Sequence, residues 1–319
     1  MTTRRTTRRT PRLTIGLPVY NGEEYLAESL DALLGQSYED YELIITDNAS
    51  TDGTPAICRK YVAMDARVSY HRLPENIGAA GNHNHVFTLA SGELFKWASH
   101  DDLYGRTLLE RCVEALDEHP DLVLAHSYNA TIDSAGRIIE PYDYRIPTDS
   151  PSAAERFRGL LYASGGDDFY GVIRSAALRN VKPHDSYHHA DRTFVMDLAM
   201  QGRFHQVPEL LYFRRDHETR AERANPSVRS RCANLDPKRG KGFNPTVRLL
   251  AEYAWGYVDL INRAPVSRAE KAKCYRHLAE YLSSRVTRRV VSADSRPAVA
   301  PTEQVLSIDG IVPGRPVRS

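Results

Sequence analysis

Hydrophobic residues recur along the first 130 positions in two alternating patterns. Short apolar runs bounded by polar or turn-forming residues are typical of buried strands, and apolar residues spaced three or four apart are typical of helices. Leu13–Val19 is the first apolar run, and Leu26, Leu30 and Leu33 after it share one helical face. Because the two patterns alternate regularly, they predict a doubly wound, mostly parallel α/β sheet.

The elements predicted for this half follow directly from the two periodicities. The strands are Leu13–Val19, Leu43–Ile45, Val68–Arg72, Leu94–Trp97 and Leu122–His126. The helices are Glu24–Leu34, Thr54–Met64, Gly78–Leu89 and Thr107–Leu116.

The pattern is looser in the second half of the chain. It predicts a hairpin turn at Ser134–Gly136 and three short strands, at Phe169–Ile173, Phe204–Val207 and Leu211–Arg214. The predicted helices are Ala153–Tyr162, Ala190–Gln201, Val247–Ile261 and Arg268–Val290. The chain therefore divides into a disordered basic arm (1–12), two α/β halves (13–130 and 131–217), a flexible basic loop (218–245), C-terminal helices (246–291) and a disordered tail (292–319).

Charge is balanced overall but unevenly distributed. The 319 residues have a formal net charge of +1 and a pI of about 7.8, so we expect no nucleic-acid partner. Residues 220–241 nevertheless carry seven Lys or Arg against Glu222 and Asp236. This stretch is either a solvated, flexible chain or a mobile lid over an anionic ligand.

Cysteine spacing and hydropathy indicate an intracellular class of protein. The four cysteines show no C-x-x-C spacing, which favours reduced thiols over a zinc site or disulfides. No apolar run reaches the roughly 18 residues of a membrane span. We expect a cytoplasmic protein, with peripheral attachment at the inner membrane face left open. The last helix, Arg268–Val290, has basic residues between its apolar ones, and packing on the main domain or on a second copy in a homo-oligomer is the favoured interpretation.

Polar residues follow each of the first four predicted strands. Ligands of doubly wound sheets bind at the carboxyl ends of the strands, so these residues are expected to line one crevice. The four segments are Pro18–Glu23, Asp47–Thr54, Pro74–Asn82 and Ser99–Asp102.

Two common phosphate-binding motifs are absent from this crevice. The first turn has only Gly22 where a dinucleotide site has G-x-G-x-x-G, and the chain contains no G-x-x-x-x-G-K-[ST]. The charge of a bound nucleotide therefore needs another counterweight. Asp101 and Asp102 can hold Mg²⁺ or Mn²⁺, because hard cations take carboxylate oxygens and bridge phosphates. The alternative is that the pair only caps the helix predicted at Thr107–Leu116.

Taken in order, the four segments resemble the family 2 inverting glycosyltransferases, which have the GT-A fold. The resemblance rests on P-V-Y-N at residues 18–21, D-N-A-S-T-D-G-T at 47–54, N-I-G-A-A-G-N at 76–82 and the aspartate pair after the fourth strand. It covers roughly residues 13–215. It implies transfer of a sugar from a nucleotide-diphosphate sugar, with a UDP-sugar favoured and a dTDP-sugar possible. Residues 13–130 would then bind the donor, and residues 131–217 the acceptor.

The resemblance also implies a set of site residues. Asp47 would accept a hydrogen bond from the base, and Asp101 with Asp102 would bind the metal. Ser99 stands where many relatives have an aspartate, which affects only the ribose contact. The full donor-site set is Pro18, Val19, Tyr20, Asn21, Glu23, Asp47, Asn76, Gly78, Asn82, Ser99, His100, Asp101 and Asp102.

Inverting transfer needs a base that takes the proton from the acceptor hydroxyl. The resemblance places it at Asp191, at the start of a predicted helix, with Asp197 in reserve. The alternative is that Asp191 only caps that helix. His188 and His189 beside it are either acceptor-site lining or surface. The resemblance further implies His217 as a third metal ligand.

Two other functions share some of these features. A nucleotidyltransferase also uses a nucleotide, a metal and a similar sheet, but usually has a Gly-rich basic signature after the first strand, which is absent here. A non-catalytic relative that binds a sugar or nucleotide has no need of Asp101, Asp102 and Asp191. The acceptor stays open among a sugar, a lipid-linked sugar and a small natural product.

Overall fold

The computed structural model describes residues 10–142, 146–163, 167–187, 190–238, 245–287, 308 and 310–313. The sequence predictions for residues 1–9, for His188 and His189, and for most of the tail lie outside the described residues.

One mixed sheet forms the centre of the molecule. Its strands are β1 Leu13–Val19, β2 Tyr41–Asp47, β3 Val68–Arg72, β4 Leu94–Trp97, β5 Leu103–Tyr104, β6 Leu122–Ile132, β7 Ile138–Tyr142, β8 Val172–Arg174 and β9 Arg203–Arg215. The strand order is β3-β2-β1-β4-β8-β6-β9-β5, and β7 pairs with β6. The β1–β2, β1–β4, β2–β3 and β6–β9 pairs are parallel, whereas β5, β7 and β8 pair antiparallel to their neighbours. The predicted mostly parallel α/β sheet is confirmed.

The sheet reverses its direction of growth at β1. The chain runs from β1 outward through β2 to β3 and then returns to place β4 on the other side of β1. The carboxyl ends of β1 and β4 therefore flank a crevice at a topological switch point, where such sheets bind ligands. All seven residues of β1 are buried, because helices cover both faces of the sheet at this strand.

Helices pack on both faces of the sheet. They are α1 Leu26–Leu34, α2 Thr54–Met64, α3 Ala79–Thr88, α4 Leu108–Glu118, α5 Ala153–Tyr162, α6 Ser175–Leu178, α7 Ala190–Gln201, α8 Ala221–Ala224, α9 Val228–Leu235, α10 Pro245–Arg263 and α11 Arg268–Thr287. Side chains of α1, α2 and α4 share one hydrophobic core, and those of α3, α5, α7, α10 and α11 share the other. Trp97 lies in the second core, stacked on Phe169 with a ring-centroid distance of 4.7 Å.

The second half departs from the sequence prediction in its strands. The two short strands predicted at 204–207 and 211–214 are one strand, β9, whose register with β6 shifts between Val207 and Leu210. Pro208 lies in that irregularity, and proline has no N–H to donate to a ladder. The strand predicted at Phe169–Ile173 is instead a 3-10 turn, Asp167–Tyr170, followed by β8.

The predicted loop at 218–245 contains two short helices, α8 and α9, so the loop prediction is wrong for those residues. Ser227 and Ser230 form a capping box at the start of α9, which satisfies backbone donors without apolar anchors. The end of α9 contacts the turn between β3 and α3. Gly78 there has a φ of 83°, and a Cβ on it would meet the carbonyl oxygen of Leu235 at 2.3 Å.

The prediction of an unstructured tail is wrong for the few tail residues that the structure describes. Ile308 and Val312 are buried in the core that contains α1 and α4. The Arg106 N–H donates to the Ile311 carbonyl at 2.8 Å. Burial of these apolar side chains offsets the entropy of ordering the segment, and composition alone does not reveal the contact.

The C-terminal helices pack back on the main domain, which confirms the predicted helical extension. Helix α10 contacts α7, and α11 contacts α5. Glu270, in the first turn of α11, accepts hydrogen bonds from the Ser152 hydroxyl at 2.8 Å and the Ala154 N–H at 2.9 Å at the start of α5. Lys273 donates to the same carboxylate at 2.8 Å. None of the described helices combines the length and hydropathy needed to cross a bilayer.

We predict a pH-dependent contribution of Glu270 to stability. The hydrogen bond from Lys273, then that from Ala154, lowers the pKa of Glu270 to about 2. A depressed carboxyl pKa stabilises the fold above the unfolded value of about 4.5, and this contribution is lost as the pH falls towards 2. Glu270→Gln should lower the free energy of unfolding by about 2 kcal/mol at pH 7, a value reduced for partial solvent exposure.

The measurement is urea unfolding of both proteins at pH 7, 4.5 and 3, where the difference should shrink steadily. Glu155→Gln is the matched control, because Glu155 forms an exposed pair with Arg158 at 3.7 Å and has no other ion pair among the described residues. A Glu270→Gln effect that stayed constant over this pH range would contradict the prediction.

Candidate active site

Asp101 and His217 meet at the carboxyl end of β4. The Asp101 Oδ2 lies 3.0 Å from the His217 Nε2, and the Thr219 hydroxyl contacts the opposite ring nitrogen, Nδ1, at 2.8 Å. The Ser99 hydroxyl donates to the other oxygen of Asp101. Burial acts to raise the pKa of Asp101, but the charge of His100 and hydrogen bonds from His217 and Ser99 hold it well below its usual range. Asp101 is therefore an anion under ordinary conditions.

The neighbouring Asp102 faces the protein interior. Its Oδ1 accepts the Arg215 backbone N–H at 2.9 Å, and its Oδ2 accepts the Tyr212 hydroxyl. Burial and the adjacent charge of Asp101 raise the pKa of Asp102 to about 7. Both of its oxygens thus bind strand β9, and only Asp101 of the pair points towards His217.

Arg215 holds this region together, although the sequence reasoning assigned it no role. Its guanidinium, 1% exposed, donates to the Asp101 carbonyl at 2.9 Å, the Ser134 carbonyl at 2.8 Å and the Glu28 carboxylate at 2.5 Å. It also lies 4.6 Å from the centre of the Tyr25 ring. The sequence signal was its position two residues before His217, at the end of a strand.

The loops after β1 and β2 are joined by side chains predicted to touch the donor. The Asn21 Oδ1 accepts the Thr51 N–H at 2.8 Å, and Asn21 itself has a φ of 50°. The Glu23 Oε2 accepts the Gly53 N–H at 2.5 Å. Pro18 and Val19 are buried in β1, whereas the Tyr20 ring is 43% exposed. Tyr20, Asn21 and Glu23 are therefore the members of this group that reach the surface.

Asp47 is fully buried at the end of β2. Its Oδ1 accepts the Ser50 N–H at 2.7 Å, and its Oδ2 accepts the Tyr70 hydroxyl at 2.6 Å and a guanidinium N–H of Arg72 at 3.3 Å. Protein donors thus occupy both oxygens. The predicted contact between Asp47 and a base would require these bonds to rearrange.

Amide side chains fasten the turn between β3 and α3. Asn48 donates to the Asn76 side-chain carbonyl at 2.9 Å and accepts the Ile77 N–H at 2.9 Å. Asn76 also accepts the Gly78 N–H at 2.8 Å. Asn82 is buried and donates to the Thr46 carbonyl at 2.9 Å. Asn76 and Asn82 therefore position the backbone, and Asn48 is a positioning residue that sequence reasoning missed.

His100 lies beside the first loop. A Cβ on Gly22 would meet the His100 ring at 2.6 Å, so the imidazole packs directly against that glycine. This contact brings the turn after β4 against the turn after β1, as the strand-end pattern predicted.

Asp191 and Asp197 have different surroundings on α7. Asp191 is half-buried in the first turn of the helix. Asp197 is buried, and its Oδ2 accepts the Lys182 N–H at 3.0 Å and an Arg263 N–H at 2.7 Å. The reserve candidate for the base thus has a structural role that ties α7 to α10.

The residues present fit a divalent metal only in part. Asp101 and His217 supply one carboxylate and one imidazole directed at each other, both suitable donors for Mn²⁺. No group of three or more His, Cys, Asp or Glu arranged as metal ligands occurs among the described residues. A metal here would complete its shell with oxygens of a bound diphosphate or water, as Mg²⁺ commonly does.

Solved structures of other proteins share this fold. TarS 1–349 of S. aureus superposes with a TM-score of 0.53 at 18% identity, covering 88% of this chain and 94% of that one. The mannosyltransferase PcManGT from Pyrobaculum calidifontis superposes with a TM-score of 0.50 at 18% identity, covering 88% and 81%. The class that the fold defines is therefore GT-A, a mostly parallel α/β sheet with C-terminal helices added here.

Sequence similarity adds the family. Residues 14–185, more than half of the chain, match the family described as Glycosyl transferase family 2, and the chain belongs to that family.

The curated relatives are similar over part of their length. EpsE of Bacillus subtilis (strain 168) is 29% identical over 194 residues, which is 60% of this chain and 66% of EpsE. The GalNAc(5)-diNAcBac-PP-undecaprenol beta-1,3-glucosyltransferase of Campylobacter jejuni is 24% identical over 199 residues, covering 61% of this chain and 62% of that enzyme. The chain thus spans less than two thirds of the length of these relatives.

We predict unequal effects on stability from truncating the two aspartates. Asp102→Ala leaves the buried Tyr212 hydroxyl and the Arg215 N–H without an acceptor, and should cost about 3 kcal/mol. Asp101→Ala removes the like charge beside Asp102 but also the acceptor of His217 and Ser99, and these opposing effects should keep the change in the free energy of unfolding below about 1 kcal/mol. Urea unfolding at pH 7.5 in EDTA measures both, and equal losses would contradict the assignment of Asp102 as the structural member.

Proposed function

We propose that the protein is an inverting, metal-assisted glycosyltransferase that moves a sugar from a nucleotide-diphosphate sugar to an acceptor hydroxyl. The observation that carries the proposal is the Asp101–His217 pair, 3.0 Å apart, at the switch point of a GT-A sheet. Family membership supports the reaction class. It also disfavours a nucleotidyltransferase, while a non-catalytic relative remains an outcome that the tests below distinguish.

The donor that we favour is a UDP-sugar. Two solved structures with this fold are described as complexes of TarS 1–349, one with UDP and one with UDP-GlcNAc, which supports uridine as the base. The PcManGT structure is described as a complex with GDP-Man and Mn²⁺, so a GDP-sugar is the second candidate. A dTDP-sugar stays possible from the sequence. The exposed side chains of Tyr20 and Asn21 are the proposed nucleoside contacts.

Asp101 and His217 are the proposed protein ligands of Mn²⁺ or Mg²⁺. The metal, when bound, supplies positive charge that stabilises the departing diphosphate. The low pKa of Asp101 keeps its carboxylate ionised and available as a ligand. Asp102, whose oxygens bind Tyr212 and Arg215, holds the turn and is not proposed as a ligand.

Asp191 is the proposed general base. It lies in the first turn of α7, where the helix dipole favours a carboxylate, and it is half-buried. It would accept the proton of the acceptor hydroxyl as that oxygen attacks the anomeric carbon.

The proposed acceptor class is a sugar, a lipid-linked sugar or a small natural product. The name of the Campylobacter jejuni relative specifies an undecaprenol-linked glycan, which supports a lipid-linked acceptor. The same proposal includes a cytoplasmic location and a homo-oligomer formed through α10 and α11. It also includes a lid function for residues 218–245. Contact between α9 and the Gly78 turn supports the lid.

A thermal-shift experiment tests the proposed donor site. A thermal-shift panel of UDP-, dTDP- and GDP-sugars, each with and without Mn²⁺, should give a metal-dependent rise in Tm with one nucleotide, because a ligand of the folded state stabilises it by mass action. His217→Ala should abolish the metal-dependent part of the shift. No shift with any of them would overturn the donor assignment and favour a non-catalytic relative.

A kinetic experiment tests Asp191 as the proposed general base. With the sugar nucleotide that gives the largest shift, Asp191→Asn should slow transfer of the sugar to acceptor or water, measured as release of the nucleoside diphosphate, by at least about 100-fold, as expected for loss of a general base. Its nucleotide affinity should stay within about twofold of wild type. Asp185→Asn, a nearby carboxylate paired with Lys182 at 2.9 Å, is the matched control. Turnover by Asp191→Asn near the wild-type rate would reject Asp191 as the base.

A further inference from the structure

Lys96 on β4 is a buried lysine without a carboxylate partner among the described residues. It is 1% exposed, and its ammonium donates to the Tyr170 carbonyl. Its Nζ lies 5.3 Å from the ring centroid of Tyr104 and 5.7 Å from that of Tyr212. Burying an ammonium is expensive unless it is compensated, so its position beside two aromatic rings requires an explanation.

The hydroxyl groups of both rings form hydrogen bonds with the turn that carries the candidate site. The Tyr104 hydroxyl accepts the Ser99 N–H at 2.8 Å and donates to the Ser99 carbonyl at 2.9 Å. The Tyr212 hydroxyl donates to Asp102. The two rings lie 5.9 Å apart at an interplanar angle of 31°. One ammonium therefore contacts the two tyrosines that fix the first and last residues of the turn 99–102.

The charge of Lys96 strengthens the two hydrogen bonds that the Tyr104 and Tyr212 hydroxyls donate to this turn. A cation near a phenol ring withdraws electron density from it, which makes the hydroxyl a better donor. Burial lowers the pKa of Lys96 to about 8, against the opposing influence of Cys112 and Asp102, so most molecules carry the charge at pH 7. The same positive charge is attracted electrostatically by the carboxyl of Asp102.

We infer that Lys96 is a positioning residue that acts through Tyr104 and Tyr212 to hold the Ser99–Asp102 turn in the conformation that directs Asp101 towards His217. The inference concerns the turn itself. It rests on the proposed function only for the identity of the ligand that the turn receives.

The first test is hydrogen exchange of the unliganded protein. Lys96→Met keeps an unbranched side chain that is one heavy atom shorter and removes the charge, and it should speed exchange of the Ser99–Asp102 amides by at least about tenfold while β2 stays unchanged. Lys60→Met is the matched control, since Lys60 lies 5.8 Å from the Tyr61 ring centroid but is exposed on α2. Unchanged exchange at 99–102, or an equal increase across the core strands, would overturn the inference.

The second test separates positioning from general stability. In Lys96→Met, the affinity for UDP with Mn²⁺ should fall about tenfold while affinity for UDP without metal stays within twofold, and Lys96→Arg should restore the metal-dependent part. Tyr212→Phe should give a similar loss, and the double variant should lose little more, because both act on the same contact. Additive losses would contradict the pathway through Tyr212.

The outcomes distinguish this inference from the proposed function. Absence of UDP binding by the wild-type protein would count against the proposed donor, and the exchange experiment would still decide the role of Lys96. If Lys96→Met does not fold, exchange in Lys96→Arg and Tyr212→Phe decides it. In that case, the inference is rejected if Tyr212→Phe speeds amide exchange at residues 99–102 by less than tenfold.

Discussion

The candidate site depends on the hydrogen bonds of the buried Arg215 guanidinium. The guanidinium joins three parts of the chain that are distant in sequence: the turn after β4 through the Asp101 carbonyl, helix α1 through Glu28 and the β6–β7 turn through Ser134. A planar guanidinium with five donors can make these contacts simultaneously, which a lysine cannot. Its backbone N–H also binds Asp102, so the same residue fixes both members of the aspartate pair.

The aspartate pair illustrates how adjacent like charges acquire different roles. Two neighbouring carboxylates in a buried turn cannot both ionise without a penalty, and their pKa values move in opposite directions here. Asp101 gains hydrogen bonds that favour its anion, whereas Asp102 bonds inward to β9. The division leaves one ionised carboxylate beside His217, which is compatible with the proposal that these two residues bind a metal.

The surroundings of this turn serve the same end from other directions. Tyr104 and Tyr212 hold its two ends, His100 packs it against the loop after β1, and the Asn48 amide secures the facing turn after β3. Most polar residues at the strand ends thus bond to other loops, and few are left to meet a ligand. Such a crevice is organised before a ligand binds, and the proposed reaction would rely on charges that are fixed in this way.

The sequence by itself determined the fold class and the location of the crevice. Apolar periodicity depends on local geometry, so β1, α2, β3, β4, α5 and α7 were predicted at their observed bounds, and the polar strand ends followed from the parallel topology. It also selected Asp101 and His217 through a family resemblance. These residues are 116 positions apart in sequence, and their side chains lie 3.0 Å apart in the structure.

Only the tertiary structure decided which polar residues face a ligand and which face the protein. Asp47, Asp102 and Asp197 resemble site residues in sequence, yet donors from other segments of the protein bind them. Of the residues that hold the Asp102 turn, Tyr212 and Lys96 carry no local signal, and the signal of Arg215 was only its position two residues before His217. Packing of Ile308, Val312 and α9 was hidden for the same reason, because burial and hydrogen-bond satisfaction depend on contacts between remote parts of the chain.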